Sequence, residues 1–287
     1  MPALGYRFTM GAVQREQEPS WGASDVVSVF ATRGFSDEGE AAAFAAVAEW
    51  ARGDVLDIGV GGGRTTGLLA REARSYVGVD ISREMLDLAQ RRFPGLDLRE
   101  GNAADLVGLP DAAYDLVVFS FNGLDALNHE ERGAALAAMA RVSRPDGRVL
   151  FSSLNLDGVS FDERPWWVAG GLRSPRVRFH LTQAARHPGG LLRAMRNYRR
   201  TQHEAEDGPG WGRRPLRAHE FRFVVHFATM EETVAEAEAA GLEVVAAYAD
   251  DGSELAPSTA HTDADYVHYL CRRQGRPDGR RQGRRHA

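Results

Sequence analysis

The stretch Asp54-Val55-Leu56-Asp57-Ile58-Gly59-Val60-Gly61-Gly62-Gly63-Arg64 decides how this chain folds. It predicts a short apolar strand that runs into an acidic residue, then a glycine-rich turn, then a helix that starts near Arg64 or Thr65. An open α/β sheet binds nucleotide-like ligands at such junctions, at the carboxyl ends of its strands. Glycine suits the turn because it adopts positive φ and lets a ligand approach the backbone closely.

The spacing of the glycines limits which ligand the turn can hold. A dinucleotide fingerprint needs a third glycine three residues after the second. Counted from Gly59 and Gly61, that position holds Arg64, and counted from Gly61 and Gly63, it holds Thr66. No Gly-Lys-Ser/Thr of a P-loop follows either. A nicotinamide dehydrogenase is therefore disfavoured.

The pattern that remains is Asp-x-Gly-x-Gly-x-Gly, with Asp57 two residues before the first glycine. It resembles motif I of the class I S-adenosylmethionine (SAM)-dependent methyltransferases. Residues 76–80, 101–106 and 114–122 resemble three further motifs of that family, in the same order. The resemblance, to the small-molecule type, implies a doubly wound, mostly parallel, seven-stranded α/β sheet with a Rossmann-like fold. A doubly wound domain for another nucleotide-like ligand, or for none, stays open.

The resemblance also implies which residues hold SAM. Asp80 ends the second predicted strand, where its two oxygens can accept both hydrogen bonds of a ribose diol. Asn102 stands where the family has an acid that bonds the adenine amino group, and its amide oxygen can accept the same bond. The residues predicted to contact the cofactor are Asp57, Gly59, Gly61, Gly63, Thr65, Asp80, Ile81, Met85, Asn102, Ala103, Ser120 and Phe121.

Composition sets the class of protein. With 287 residues, 43% hydrophobic and 26% charged, the chain can form one large α/β domain with an insertion. It has no apolar run of membrane-helix length and no apolar segment typical of a signal peptide, so we expect a cytoplasmic protein without membrane contact. The single cysteine, Cys271, excludes an internal disulfide and a multi-cysteine metal site. We expect no metal.

The net charge of −5 argues against general nucleic-acid binding. All 35 basic residues are arginine, which indicates a coding bias towards GC-rich codons. Arginine counts alone therefore carry little weight.

Five segments follow along the chain. We predict an N-terminal arm (1–35), a SAM-binding core (36–154), a substrate-cap insertion (155–219), a C-terminal part of the sheet (220–273) and a disordered tail (274–287). Strands are predicted at 54–59, 76–80, 96–100, 114–120, 148–154, 220–227, 242–248 and 266–272. Helices are predicted at 64–74, 83–92 and 130–143, the last ended by residues 144–147. By resemblance, the last strand should be antiparallel and inserted between its predecessors.

The insertion is where the substrate is expected. Residues 161–220 contain twelve arginines and six acids. A basic, aromatic lid would suit an anionic or aromatic acceptor, since arginine pairs with carboxylates and phosphates and stacks on rings. The alternative is a helical lid with a solvated arginine face. Candidate substrate contacts are Tyr6, Trp21, Trp166, Trp167, His180 and His226, each of which can instead be a packing residue.

The chemistry implied by the resemblance needs few protein groups, because the sulfonium of SAM is already activated for displacement. Positioning the acceptor can supply about 7–11 kcal/mol. Asn122, Asp125 and His129 follow the fourth predicted strand and are candidate catalytic residues, although this cluster can also cap the next helix.

We predict methyl transfer from SAM to an oxygen or nitrogen of a small molecule, with S-adenosylhomocysteine (SAH) as product. The alternatives are RNA or protein methylation, or a SAM-binding protein without catalysis. No nucleic-acid partner is expected, and the sequence leaves the oligomeric state open.

Overall fold

A computed structural model describes residues 37–167 and 188–275. The predictions for the N-terminal arm, for Tyr6, Trp21 and His180, and for the tail beyond residue 275 lie outside the described residues.

The helices and strands alternate through the core. The helices are α1 (Glu38–Ala46), α2 (Thr66–Glu72), α3 (Arg83–Arg92), α4 (His129–Val142), α5 (Pro188–Thr201) and α6 (Met230–Ala239). The strands are β1 (Asp54–Ile58), β2 (Ser75–Asp80), β3 (Asp97–Glu100), β4 (Tyr114–Phe119), β5 (Ser143–Leu154), β6 (Glu206–Gly208), β7 (Trp211–Pro215), β8 (Val224–Ala228), β9 (Leu242–Ala249), β10 (Glu254–Leu255) and β11 (Tyr266–Arg273).

The large sheet has the order β10-β9-β11-β5-β4-β1-β2-β3. Strands β1 to β5 are parallel to their neighbours, whereas β11 runs antiparallel between β5 and β9. This confirms the predicted doubly wound, mostly parallel sheet and the inserted last strand. Seven of the eight predicted strands lie in this sheet, and the short edge strand β10, which was not predicted, is its eighth.

Helices cover both faces of this sheet, and the strands supply apolar residues to each face in turn. Leu56 and Val117 pack in one buried cluster with α4 and α6. Their chain neighbours, Val55 and Leu116, pack in the other cluster with Ala43 of α1. A strand buried on both faces reads as a continuous apolar run, and this explains why the core strands were visible in the sequence.

Side-chain caps set where several helices begin. The Asp37 carboxylate accepts a hydrogen bond from the Glu40 N–H at the start of α1. Asn128 and Glu131 form a reciprocal capping box at the start of α4. Strand β5 begins at Ser143, so residues 144–147, predicted as a turn after the helix, are already part of a strand.

The predicted strand at 220–227 does not return to the large sheet. The observed strand, β8, pairs with β7 in a separate three-stranded sheet of order β6-β7-β8. A single bridge from Asn155 to Ala228 connects this small sheet to the end of β5. Its apolar side chains, Val225 and Phe227 among them, form a third buried cluster with Leu154. The cap therefore extends beyond residue 219, where we predicted it to end.

Candidate functional site

A cleft with an empty volume of about 980 Å³ opens at the carboxyl ends of β1, β2 and β4. Ten of the twelve residues predicted to contact the cofactor line it, and these are Gly59, Gly61, Thr65, Asp80, Ile81, Met85, Asn102, Ala103, Ser120 and Phe121. Further lining residues that we did not predict include Val60, Arg64, Phe119 and Leu127.

The glycines of the turn after β1 serve two purposes. Gly61 has a φ of +54°, and a Cβ added there would meet nothing closer than 4.0 Å. Gly63 has a φ of +84°, and its Cβ would lie 2.7 Å from the ring of Phe93. Gly63 is not among the residues that line the cleft, and it is needed for packing against Phe93, so its contact with the cofactor stays a prediction.

Asp80 ties the glycine turn to the next strand. Its Oδ2 accepts the N–H of Gly61 at 2.8 Å, and its Oδ1 accepts the N–H of Ser82 at 2.8 Å. Each carboxylate oxygen has a second lone pair, so the group can still accept two hydrogen bonds from a ligand. Burial raises the pKa of Asp80, while the backbone donors from Ser82 and Gly61 oppose the shift.

Asn102 lines the same cleft and already has one backbone partner. Its Oδ1 accepts the N–H of Ala104 at 2.9 Å. The amide oxygen of Asn102 therefore shapes the loop after β3, and its contact with the adenine stays a prediction.

Asp57 lies behind the turn, outside the cleft. Its Oδ2 accepts hydrogen bonds from the hydroxyls of Thr65 and Tyr76, both at 2.8 Å. Burial raises its pKa to about 6. These buried hydroxyls both bond Oδ2 and connect β1 to the turn and β2, and the direct contact of Asp57 with the cofactor stays a prediction.

Arg64 joins the cleft to α1, and we did not predict this. Its guanidinium pairs with both oxygens of Glu40 at 2.6 Å and donates to the Ser120 hydroxyl at 3.0 Å. It also lies 4.8 Å from the centre of the Phe121 ring. The side chain of Glu40 is completely buried, and Arg64 is 7% exposed. The available sequence clue was the acid Glu40 directly before the apolar run Ala41–Ala46 of α1.

The chain after β4 is strained where it enters the cleft. Phe121 and Asn122 both have a φ of 58°, in the left-handed region that residues other than glycine rarely adopt. The Ser152 hydroxyl holds the bend, since it accepts the Asn122 N–H at 2.9 Å and donates to Asn122 Oδ1 at 3.1 Å. Such strain is common at functional sites.

The predicted catalytic residues do not gather in the cleft. Asn122 is used by the bend, and Asp125 is fully buried, where it accepts hydrogen bonds from Arg132, Ser153 and the N–H of Leu154. These partners hold Asp125 inside the fold, so the geometry gives no support to its predicted catalytic role.

His129 begins α4 and stacks on Trp211 at 4.4 Å, away from the residues that line the cleft. Its predicted catalytic role therefore has no support from the geometry. His226, predicted to contact the substrate, lies beside it in β8 and is buried. Burial is the main factor that lowers the pKa of His226.

The predicted aromatic lid is also absent from the cleft lining. Trp166 and Trp167 are 65% and 48% exposed, and Trp166 makes an edge contact with Tyr198 at 5.5 Å. Several arginines of the cap form ion pairs with acids of the same region, namely Arg193 with Glu220, Arg213 with Glu206, Arg214 with Asp207, and Arg217 with Glu163. These four pairs involve four of the twelve arginines that suggested an anionic acceptor, and their acids are among the six already counted, so the excess of arginine over acid stays the same.

Comparison with known proteins agrees with this geometry. Residues 55–147 match the family of methyltransferase domains. A probable SAM-dependent methyltransferase of Mycolicibacterium smegmatis is 36% identical over 102 residues, which are 36% of this chain and 38% of the relative. A demethylmenaquinone methyltransferase of Clavibacter sepedonicus is 33% identical over 121 residues, which are 42% of this chain and 48% of the relative.

A solved structure of DhpI with SAH has a TM-score of 0.55 at 19% identity and covers 93% of this chain and 100% of that one. The matched region spans less than half the length of the two curated relatives. Residues 55–147 therefore match a methyltransferase domain, and the fold around the cleft is similar to that of the DhpI–SAH structure. No helix within residues 37–167 and 188–275 is long and apolar enough to span a membrane.

Proposed function

We propose that this chain transfers the methyl group of SAM to an oxygen or nitrogen of a small organic molecule. The observation that carries the proposal is the position of Asp80 in the wall of the cleft. Its carboxylate is held by two backbone N–H groups, beside the apolar Ile81 and Met85. The carboxylate can accept the hydroxyl groups of the ribose, and the apolar wall beside it can contact the adenine.

The residues of the cleft fit the other parts of SAM as well. The Gly59–Gly61 turn brings backbone close to the ligand, as the amino acid part of SAM requires. Arg64 adds a cation at the same end of the cleft. SAM supplies a methyl group bonded to a positively charged sulfur, and the acceptor displaces it from that sulfur.

The chain contributes mainly orientation and exclusion of water. Phe119, Phe121 and Leu127 give the cleft beyond the turn an apolar wall. An acceptor held in line against such a wall gains most of the benefit that positioning supplies, about 7–11 kcal/mol. A proton lost from the acceptor can pass to water, so the proposal requires no dedicated base.

A small-molecule acceptor is supported by the relatives and by charge. The Clavibacter relative is named as an enzyme that acts on demethylmenaquinone, a small organic molecule. The formal net charge of −5 disfavours a polyanionic nucleic acid as substrate.

Calorimetry with SAM, SAH and NAD tests the cofactor. We expect SAM and SAH to bind one per chain and NAD not to bind. An assay with methyl-labelled SAM against panels of phenols, hydroxy acids, quinols and amines then tests the transfer.

Two results would contradict the proposal at different levels. A protein that binds neither SAM nor SAH at millimolar concentration would refute the cofactor assignment. A protein that binds SAM but labels only RNA or protein would leave the cofactor site intact and refute the small-molecule acceptor.

A further inference from the structure

Three potential metal-ligand atoms meet beside the start of α4, outside the set of residues that line the cleft. His129 Nδ1 lies 3.3 Å from His226 Nε2 and 3.3 Å from Glu236 Oε1. All three atoms lie within 4.8 Å of one another. The residues come from α4, β8 and α6, so the cluster joins the small sheet to the core.

The two imidazoles lie side by side on one aromatic face. The indole of Trp211 stacks on His129 with an interplanar angle of 10° and on His226 with one of 16°. The imidazole centres are 5.5 Å apart with an interplanar angle of 8°. This places the two facing nitrogens near one plane.

Hydrogen bonds within the cluster cannot pair all three atoms with one another, although Glu236 Oε1 also accepts a hydrogen bond from Arg132 Nε at 3.3 Å. If neutral His226 carries its proton on Nε2, it donates to His129 Nδ1, and the carboxylate oxygen of Glu236 then faces a nitrogen lone pair. If the proton is on Nδ1, it is buried without a hydrogen-bond partner among the described residues. His226 Nε2 and Glu236 Oε1 then compete for a single proton on His129 Nδ1. A cation would accept all three lone pairs at once.

The distances match a specific coordination geometry. Zinc binds histidine nitrogen and carboxylate oxygen at about 2.0–2.1 Å in a tetrahedral site, which places neighbouring ligand atoms about 3.3 Å apart. Both measured separations from His129 Nδ1 have this value. Two histidines and one glutamate leave the fourth position open for water.

The charges around the cluster also suit a cation. Arg132 is fully buried and donates to Glu236 Oε2 at 2.8 Å and to Oε1 at 3.3 Å, and Oε1 also lies 3.3 Å from His129 Nδ1. Asp125 pairs with the same guanidinium at 2.5 Å. Arg132 and its two carboxylates therefore have a formal net charge of −1. Ligating carboxylates usually have such a hydrogen bond on their other oxygen.

We propose that His129, His226 and Glu236 bind one divalent first-row transition-metal ion, with Zn²⁺ as the expected ion. We predicted no metal from the sequence, since one cysteine gives no recognisable spacing and these three residues are spread over 108 positions. The site clamps the small sheet against α4 and α6. It does not depend on the proposed methyl transfer.

The test uses the full, untagged chain after treatment with a chelator. Co²⁺ is added as a spectroscopic probe, and Zn²⁺ is titrated by calorimetry, both in the absence of SAM. We expect one Co²⁺ per chain with the intense visible absorption of a tetrahedral site, and its displacement by Zn²⁺. Zn²⁺ should also raise the melting temperature, because an ion that binds only the folded chain stabilises it.

His129→Gln is the main variant, because the side chain is 40% exposed and its loss should be tolerated by the fold. The substitution should weaken Zn²⁺ binding by more than about 100-fold. Loss of a residue that only hydrogen-bonds a metal ligand already weakens metal binding by about 10- to 100-fold. His261→Gln is the matched control, as His261 is exposed and pairs with Asp157 elsewhere. It should bind like the wild type.

Two outcomes would overturn the proposal. One is a wild-type chain that takes up no Co²⁺ or Zn²⁺ at micromolar concentration. The other is a folded His129→Gln chain with unchanged metal affinity, which would place any bound ion on other histidines. Because SAM is absent from every step, neither result bears on the proposed methyl transfer.

Discussion

The backbone N–H of Gly61 donates a hydrogen bond to Asp80 Oδ2 at 2.8 Å, and this contact connects the turn after β1 to the end of β2. The two motifs are 19 residues apart in the chain but form one wall of the cleft. Asp80 therefore shapes the turn in addition to facing the ligand.

Replacement of Asp80 tests the ribose assignment. Asp80→Ala should weaken SAM binding by about 1–3 kcal/mol, because a buried ribose loses its charged acceptor. Calorimetry measures the change, and Asp87→Ala is the control, since Asp87 lies on the adjacent α3 with its side chain 58% exposed. Equal SAM affinity in Asp80→Ala and wild type would remove the ribose assignment.

The two glycines of the turn should respond differently to alanine. Gly63→Ala should destabilise the fold by at least about 1–2 kcal/mol, the cost of a left-handed non-glycine residue, with the contact to Phe93 added. Gly61→Ala has the same cost of a left-handed backbone, but its methyl group meets no close neighbour. Because Gly61 lines the cleft, the added methyl group should instead interfere with SAM.

Thermal melting and SAM titration of both variants separate these effects. We expect Gly63→Ala to lose more folding stability than Gly61→Ala. Relative to its loss of stability, Gly61→Ala should lose more SAM affinity than Gly63→Ala. The reverse order would contradict the division of roles between the two glycines.

Asp57 should make stability depend on pH. Its pKa is about 6 in the fold against a usual value of 3.8, because burial disfavours the charged form. The charged and polar groups that face it are Tyr76, Thr65, Arg64 and Asp80. A raised carboxyl pKa gives stability that is present in full below pH 3.8 and is lost as the pH rises through about 6.

The variant Asp57→Asn isolates this effect. It keeps an oxygen that can accept from Thr65 and Tyr76 but does not titrate. The stability of wild type relative to Asp57→Asn should fall by about 2.4 kcal/mol between pH 4 and pH 7, at about 1.4 kcal/mol per pKa unit. Urea unfolding across this range measures it, and a difference that does not vary with pH would refute the raised pKa.

The pair of Arg64 and Glu40 should matter far more than surface pairs. Arg64→Ala leaves the Glu40 carboxylate buried without its cation and should cost about 3–5 kcal/mol of stability. Arg272→Ala is the control, because Arg272 pairs with Glu243 at a similar 2.7 Å but both side chains are about half exposed. Urea unfolding of both should show a much smaller loss for the control. Equal losses would mean that burial of the pair has no energetic effect.

The sequence by itself determined the sheet, its strands and most of the cleft. The glycine turn, Asp80, and the segments around Asn102 and Ser120 are each local patterns, and a parallel sheet brings the ends of its strands to one edge. Because of this rule, one site can be predicted from several separate short motifs, without knowledge of the side-chain contacts. The eight-residue strands near the C-terminus were visible for the same local reason.

Only the tertiary structure decided which polar residues pair with which. The carboxylates of Asp57 and Asp80 both lie near the turn after β1. Asp57 is hydrogen-bonded to two buried hydroxyls, whereas Asp80 faces the cleft. Arg64 and Glu40, and likewise His129 and His226, are brought together by packing between distant elements. The partner of a buried polar group depends on which surfaces come into contact, and a local sequence pattern contains no information about that contact.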